Sequence, residues 1–374
     1  LLSHSDLGED WIELYNPGPQ TVQIGGWYLS DAYTNYTRSV IAGGTQILGD
    51  DYITFSESQL GFAFSELGDE AALTIFSGSN LISFVDRVDF GAGDREVSFG
   101  RYVRSDGRTD FPALCGQTRG ALNTYPLVGP IVMSEIMYNP TNGPEFIELV
   151  NITEDPVPLY DVLHPTNTWQ LTSGIDYVFP TNLTVPPLGV VVLSGLDETS
   201  LRAALPISPD VQVFGPWSGS LANGGENIRL FRPGDPEPDG FVPQILVERV
   251  EYEDDAPWPV SPDGLGPSLE RTALYRYGND PINWSASIPG GTPGVFTGMA
   301  QHMAVVPSQI ISGAGRILWA AIPGQSYRVE YTDDLISGVW QTLQNISATA
   351  LVADVIDPDY NLLQRRYYRI LWVK

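Results

Sequence analysis

Three histidines, one cysteine, one lysine and 45 carboxylates are what this chain of 374 residues offers for chemistry. His4, His164 and His302 lie far apart, and none is close to Cys115. A zinc site needs three or four such ligands converging, and a nucleophilic triad needs a base beside its Ser or Cys. The sequence carries no Gly-x-Ser-x-Gly elbow, phosphate loop or His-Glu-x-x-His motif. Lys374 is the only lysine, which argues against Schiff-base and isopeptide chemistry. A glycosidase pair would need two carboxyls roughly 5–10 Å apart across a cleft, and no acid pair here has a supporting motif. The reading is therefore not an enzyme, and no cofactor is required. Calcium is the one metal the loops could take. Asp254 and Asp255 with Asp263, and Asp333 with Asp334, place hard oxygens at turns, although EF-hand spacing is lacking. Trp217, Trp258 and Trp284 sit in Pro- or Gly-rich segments and are the candidate platforms for stacking a glycan. Trp11, Trp27, Trp169 and Trp319 follow strand patterns and read as core.

Strands must position these residues. Hydrophobic residues at 43% and aromatics at 11% are ample for packed cores, so the acidity does not mean disorder. The 38 Gly and 30 Pro punctuate short apolar runs, which is the pattern of many strands joined by turns. Only Glu198–Leu205, closed by Pro206, reads as a helix. The fold class is all-β. One cysteine excludes a disulfide within the chain, and burial in a core is its expected role. No run approaches the roughly 18 apolar residues of a membrane span. The net charge of −26 is concentrated before residue 297, and such a surface repels nucleic acid.

The chain repeats itself. Asp10-Trp11-Ile12-Glu13-Leu14-Tyr15-Asn16 returns as Glu145-Phe146-Ile147-Glu148-Leu149-Val150-Asn151. Trp27-Tyr28-Leu29 matches Trp169-Gln170-Leu171, and Val85-Asp86-Arg87-Val88-Asp89-Phe90 matches Val247-Glu248-Arg249-Val250-Glu251-Tyr252. Ser98-Phe99-Gly100-Arg101 answers Ser268-Leu269-Glu270-Arg271. Glu13 and Glu148, in matching places, are expected to pair with an arginine such as Arg101 or Arg271. The pattern Trp/Phe-Ile-Glu-Leu-x-Asn, Gly-Trp-x-Leu and closing Ser-x-x-Arg resembles the lamin tail domain. Asn279-Asp280-Pro281-Ile282-Asn283-Trp284 and Pro289-Gly290-Gly291-Thr292-Pro293-Gly294 are similar to bacterial members of that family. The resemblance implies immunoglobulin-like sandwiches over residues 1–125 and 126–296, secretion, and no catalytic set. Residues 297–374, with Tyr327-Arg328-Val329-Glu330-Tyr331 and Arg366-Tyr367-Tyr368-Arg369, resemble a fibronectin-like module. Three tandem immunoglobulin-like β-sandwiches are thus expected.

Two departures from the pattern stand out. Trp169 lacks the Gly-Gly that precedes Trp27. The first copy opens at Leu1-Leu2, aligned with Ile136-Met137, so its first strand is truncated, as if cut from something larger. The functional expectation is an extracellular or cell-surface structural or adhesive protein, a filament or surface-layer subunit. Head-to-tail assembly by strand complementation would use Leu1 and Leu2. Gly298–Gln309, or the strand carrying Arg365, Arg366 and Arg369, would meet the next subunit. The alternative is the glycan-binding accessory region of a secreted hydrolase.

Overall fold

The computed structural model is almost entirely β, as the apolar alternation and turn residues predict. It describes all residues except 4, 6–7, 296–308, 312–313, 321–325, 334–338, 349–351, 360–365 and 374. Two compact units result. The first is Leu1–Leu127 with Phe231–Leu246, and the second is Val128–Leu230 with Val247–Lys374.

The first unit contains β1 (Trp11–Asn16), β2 (Tyr28–Ser30), β3 (Ser39–Val40), β4 (Asp51–Ser56), β5 (Gly68–Ser77) and β6 (Asn80–Gly91). β1 pairs antiparallel with β4, and a second sheet runs β3-β2-β5-β6. Ile12, Leu29, Leu73, Phe90 and Phe99 form the core between them. The Phe231–Leu246 stretch adds a parallel bridge from Ile245 to Ala92 and an ion pair from Arg232 to Asp94.

The second unit contains β7 (Ile131–Met137), β8 (Phe146–Asn151), β9 (Gln170–Thr172), β10 (Ile175–Val178), β11 (Val190–Ser194), β12 (Gln212–Phe214), β13 (Ser218–Gly219), most of β14 (Gly225–Pro233) and of β15 (Gln244–Glu253), β16 (Leu269–Arg271) and β17 (Trp284–Ala286). Six strands in the order β12-β11-β8-β7-β16-β17 face five in the order β13-β10-β9-β14-β15. Ile136, Ile147 and Leu269 from the first sheet meet Leu171, Ile228 and Val250 from the second in one core. β7 and β8 are buried along their whole length, which requires cover on both faces. The helix Glu198–Ala204 supplies part of it, seating Leu201 among Met137, Phe146 and Val192. Asp197 caps that helix through Ser200 N at 3.0 Å.

The C-terminal stretch forms β18 (Gln309–Ile311), β19 (Ala314–Ala320), β20 (Ser326–Thr332), β21 (Gln341–Ser347), β22 (Val352–Asp357) and β23 (Tyr367–Val373). These make two three-stranded sheets, β18-β19-β22 and β21-β20-β23, around Ile317, Tyr327, Val329, Val355 and Ile370. The runs Tyr327–Tyr331 and Tyr367–Arg369 fall on β20 and β23.

Candidate functional site

Three side-chain arrangements occur once in each unit, and together they locate what differs between the copies. Asn16 ends β1, and its Nδ2 donates to the carbonyls of Gln20 (2.7 Å), Leu48 (2.9 Å) and Ile47 (3.2 Å). Asn151 ends β8 and donates to Asp155 (2.8 Å), Pro186 (2.9 Å) and Val185 (3.2 Å). Each asparagine holds a turn by satisfying carbonyls that would otherwise be left unpaired.

The closing arginines take the acid of the last hairpin strand. Arg271 Nη1 lies 2.8 Å from Glu248 Oε2, with both side chains buried. Desolvation pushes the Glu248 carboxyl above its ordinary range, against the pull of Arg271. In the first unit Arg101 Nη2 lies 2.6 Å from Asp86, with the two side chains 39% and 53% exposed. This corrects the expectation that Glu13 and Glu148 pair with these arginines.

The two glutamates instead clasp glycine backbones. Glu148 Oε2 accepts from Gly294 N (2.7 Å) and its Oε1 from Ser134 Oγ (2.6 Å). Glu13 Oε2 accepts from Gly120 N and from Thr54 Oγ1 (3.1 Å). Both glycines have left-handed φ, 71° and 81°, and each is the third residue of a Thr-x-Gly triplet, Thr118–Gly120 and Thr292–Gly294. That repeated triplet is the signal that sequence reasoning missed. In the second unit Glu135 stands directly across from both Glu148 and Glu270, so three carboxylates line adjacent strands. Glu135 accepts from Ser268 Oγ, from Thr292 N (2.8 Å) and from Thr292 Oγ1 (3.1 Å). A Cβ on Gly291 would lie 2.6 Å from Glu135 Oε1, so only glycine lets the chain pass so close.

Burial pushes Glu148 up to about 7 and also raises Glu135, with the neighbouring carboxylates adding to both shifts. The folded unit therefore retains a proton that the unfolded chain releases. The associated stability is full below the ordinary value of 4.5 and is lost as pH rises through about 7. Between pH 5 and 8 the second unit should lose at most about 3 kcal/mol. Glu148→Gln, which keeps the acceptor for Gly294 and cannot ionise, should flatten that slope in urea titrations across this range.

One difference separates the two copies. Leu2 exchanges both backbone bonds with Trp11 (3.0 and 3.2 Å), and Leu1 both with Phe99 (2.8 and 2.8 Å). In the second unit Met137 faces Phe146 and Ile136 faces Leu269. Leu1-Leu2 thus sits in the register of Ile136-Met137, between β1 and Phe99. Because Trp11 bonds Leu2, antiparallel alternation turns the N–H and C=O of Glu13 and Tyr15 to the same side. Among the described residues no backbone group pairs with them there. The cores differ as well. Leu149, Val191, Leu193 and Val250 are at most 1% exposed, whereas the matching Leu14, Ile53, Phe55 and Val88 are only partly buried.

The tryptophan expectation is corrected. Trp217, Trp258 and Trp284 are 6%, 2% and 5% exposed and belong to the second unit's core. An indole buries roughly 150–250 Å², so these Pro- and Gly-rich segments fold inward around it and leave no face for a sugar. Arg366 and Arg369 are likewise engaged within their own module. Arg366 bonds Asp333 (2.7 Å) and Asp357 (2.9 Å), and Arg369 bonds Glu330 (2.7 Å) while stacking over Trp340.

Asp263 accepts from Asn139 Nδ2 at 2.6 Å. Among the described residues, Asp254, Asp255 and Asp263 included, no group of three or more His, Cys, Asp or Glu could hold a metal ion. His164 pairs with Asp161 at an exposed turn. Cys115 donates to Pro126 O (3.4 Å), and burial pushes its thiol up to about 11, far from reactive. His4, His302, Asp334, Arg365 and residues 298–308 lie outside the described residues. No helix among the described residues is long and apolar enough to cross a membrane. No family model and no curated protein matches the chain.

Proposed function

We propose that this chain is a non-catalytic structural protein of the extracellular space or cell surface. It is built from two sandwiches of the lamin tail type, immunoglobulin-like in topology, and a fibronectin-like module, and it self-associates by β-strand complementation. The observation that carries this reading is the outer edge of β6, the 12-residue strand at the end of its sheet, where Leu81, Ile82, Phe84 and Val85 are 41–62% exposed. Unsatisfied strand edges next to apolar side chains are costly in water and are readily completed by another chain. The charge of −26 keeps such a protein soluble and sets long-range repulsion between subunits, so assembly should strengthen with salt. The accessory glycan-binding reading loses its support with the burial of the three tryptophans.

Sedimentation velocity from low to high protein concentration, at low and moderate salt, tests the proposal. Concentration-dependent oligomers, and fibres by negative stain, are the expected result. A monomer at every concentration would refute it.

A further inference from the structure

We infer that β6 pairs with the β6 of a second copy of this chain, antiparallel, about a twofold axis through Ser83. This rests on the self-association proposed above and names its contact. The two repeats treat this hairpin differently. In the first, residues 71–85, running from β5 round the turn into β6, contain no charged residue and no proline. In the second, the matching hairpin, β14 and β15 with their loop, carries Pro233, Pro236, Pro238 and Pro243, with Asp235, Glu237 and Asp239 among them. Prolines and charges are the usual protection of a strand edge against other chains. One repeat has this protection and the other lacks it. Among the described residues no strand or isolated bridge meets the outer side of Asn80–Gly91, where Leu81, Ile82, Phe84 and Val85 are exposed.

Charge and sequence name the occupant. Each copy carries −26, so two copies repel wherever acids face acids. The uncharged half of β6 is where they can meet without that repulsion. The stretch is also its own complement. Asn80-Leu81-Ile82-Ser83-Phe84-Val85-Asp86 reads polar, two apolar, Ser, two apolar, polar in either direction. Antiparallel pairing centred on Ser83 sets Leu81 against Val85, and Ile82 against Phe84, of the second copy. Asp86 then faces Asn80, and no acid faces an acid. Centred on Asp86, the same pairing would oppose that carboxylate to itself. Ile82 and Val85 have no partner residue on β5, so β6 bulges at both, and the added twist confines the pairing to this short stretch. Such an isologous contact closes at two copies, and fibres add a second contact to it.

Single cysteines placed in the full chain test this under mild oxidation, with the unsubstituted chain, whose one thiol is Cys115, as control. Ser83→Cys should form a disulfide-linked dimer, since residues facing each other across antiparallel strands lie about 4.5–5.5 Å apart at Cα. Leu81→Cys and Val85→Cys should each stay unlinked alone and link when mixed. Ile82→Glu should weaken the dimer at least about tenfold in sedimentation, because the axis brings the buried charge in twice. Linkage of Leu81→Cys to itself, as in parallel or shifted pairing, would overturn the inference, as would an unlinked Ser83→Cys. The two readings fail separately. Oligomers that leave these cysteines unlinked remove the β6 contact and keep self-association. A chain that is monomeric at every concentration removes both.

Discussion

Arg271→Met alone should destabilise the second unit by about 3–5 kcal/mol, because it leaves Glu248 buried without its counter-charge. The matching change in the first unit, Arg101→Met, should cost under about 1 kcal/mol. The residues are equivalent in sequence and in partner, so the difference isolates burial. Arg271 and Glu248 are excluded from water, and Arg271 also bonds the Met133 carbonyl at 3.1 Å. Arg101 and Asp86 stay hydrated, where the attraction is weak and salt-screened. The double variant Arg271→Met/Glu248→Leu should recover most of the loss, since it removes both buried charges and keeps the volume. Urea unfolding followed by hydrogen exchange reads the two units separately. Equal losses from Arg271→Met and Arg101→Met would show that the pair matters through something other than desolvation.

Asn151→Ala and Asn16→Ala should behave alike, in contrast to the arginines. Each asparagine serves three carbonyls and also accepts a backbone N–H through Oδ1, from Gly18 at 3.1 Å or Thr153 at 2.9 Å. Alanine orphans all of these at once, and about 3–4 kcal/mol is expected in either unit. Asn→Asp should also be costly, because a carboxylate has no donors for the three carbonyls. Thermal unfolding of the four variants tests this. A near-neutral Asn16→Ala would mean that its turn in the first unit is held by other contacts.

Parts of the site were legible in the residues. The return of Ile-Glu-Leu-x-Asn and of Val-Asp/Glu-Arg-Val placed both copies. Acid matches acid at Asp86 and Glu248, but nothing local to the sequence shows that these acids, rather than Glu13 and Glu148, receive the closing arginines. Glu13 and Glu148 stand nearer in sequence to other strands than to the glycines they hold, and a clasp closed by a backbone N–H leaves no side-chain signature. The Thr-x-Gly triplets were its only trace. The loop tryptophans misled for a related reason. Pro and Gly mark where the chain turns and say nothing about whether the turn faces water or the core.

The linear chain determined the strands, their repeated pattern and the acidity, because these follow from local alternation, turn residues and counting. Which duplicated residues are buried was decided only when the sheets packed. Desolvation depends on neighbours far along the chain, and it makes Arg271 and Glu248 costly to separate and draws Trp258 inside.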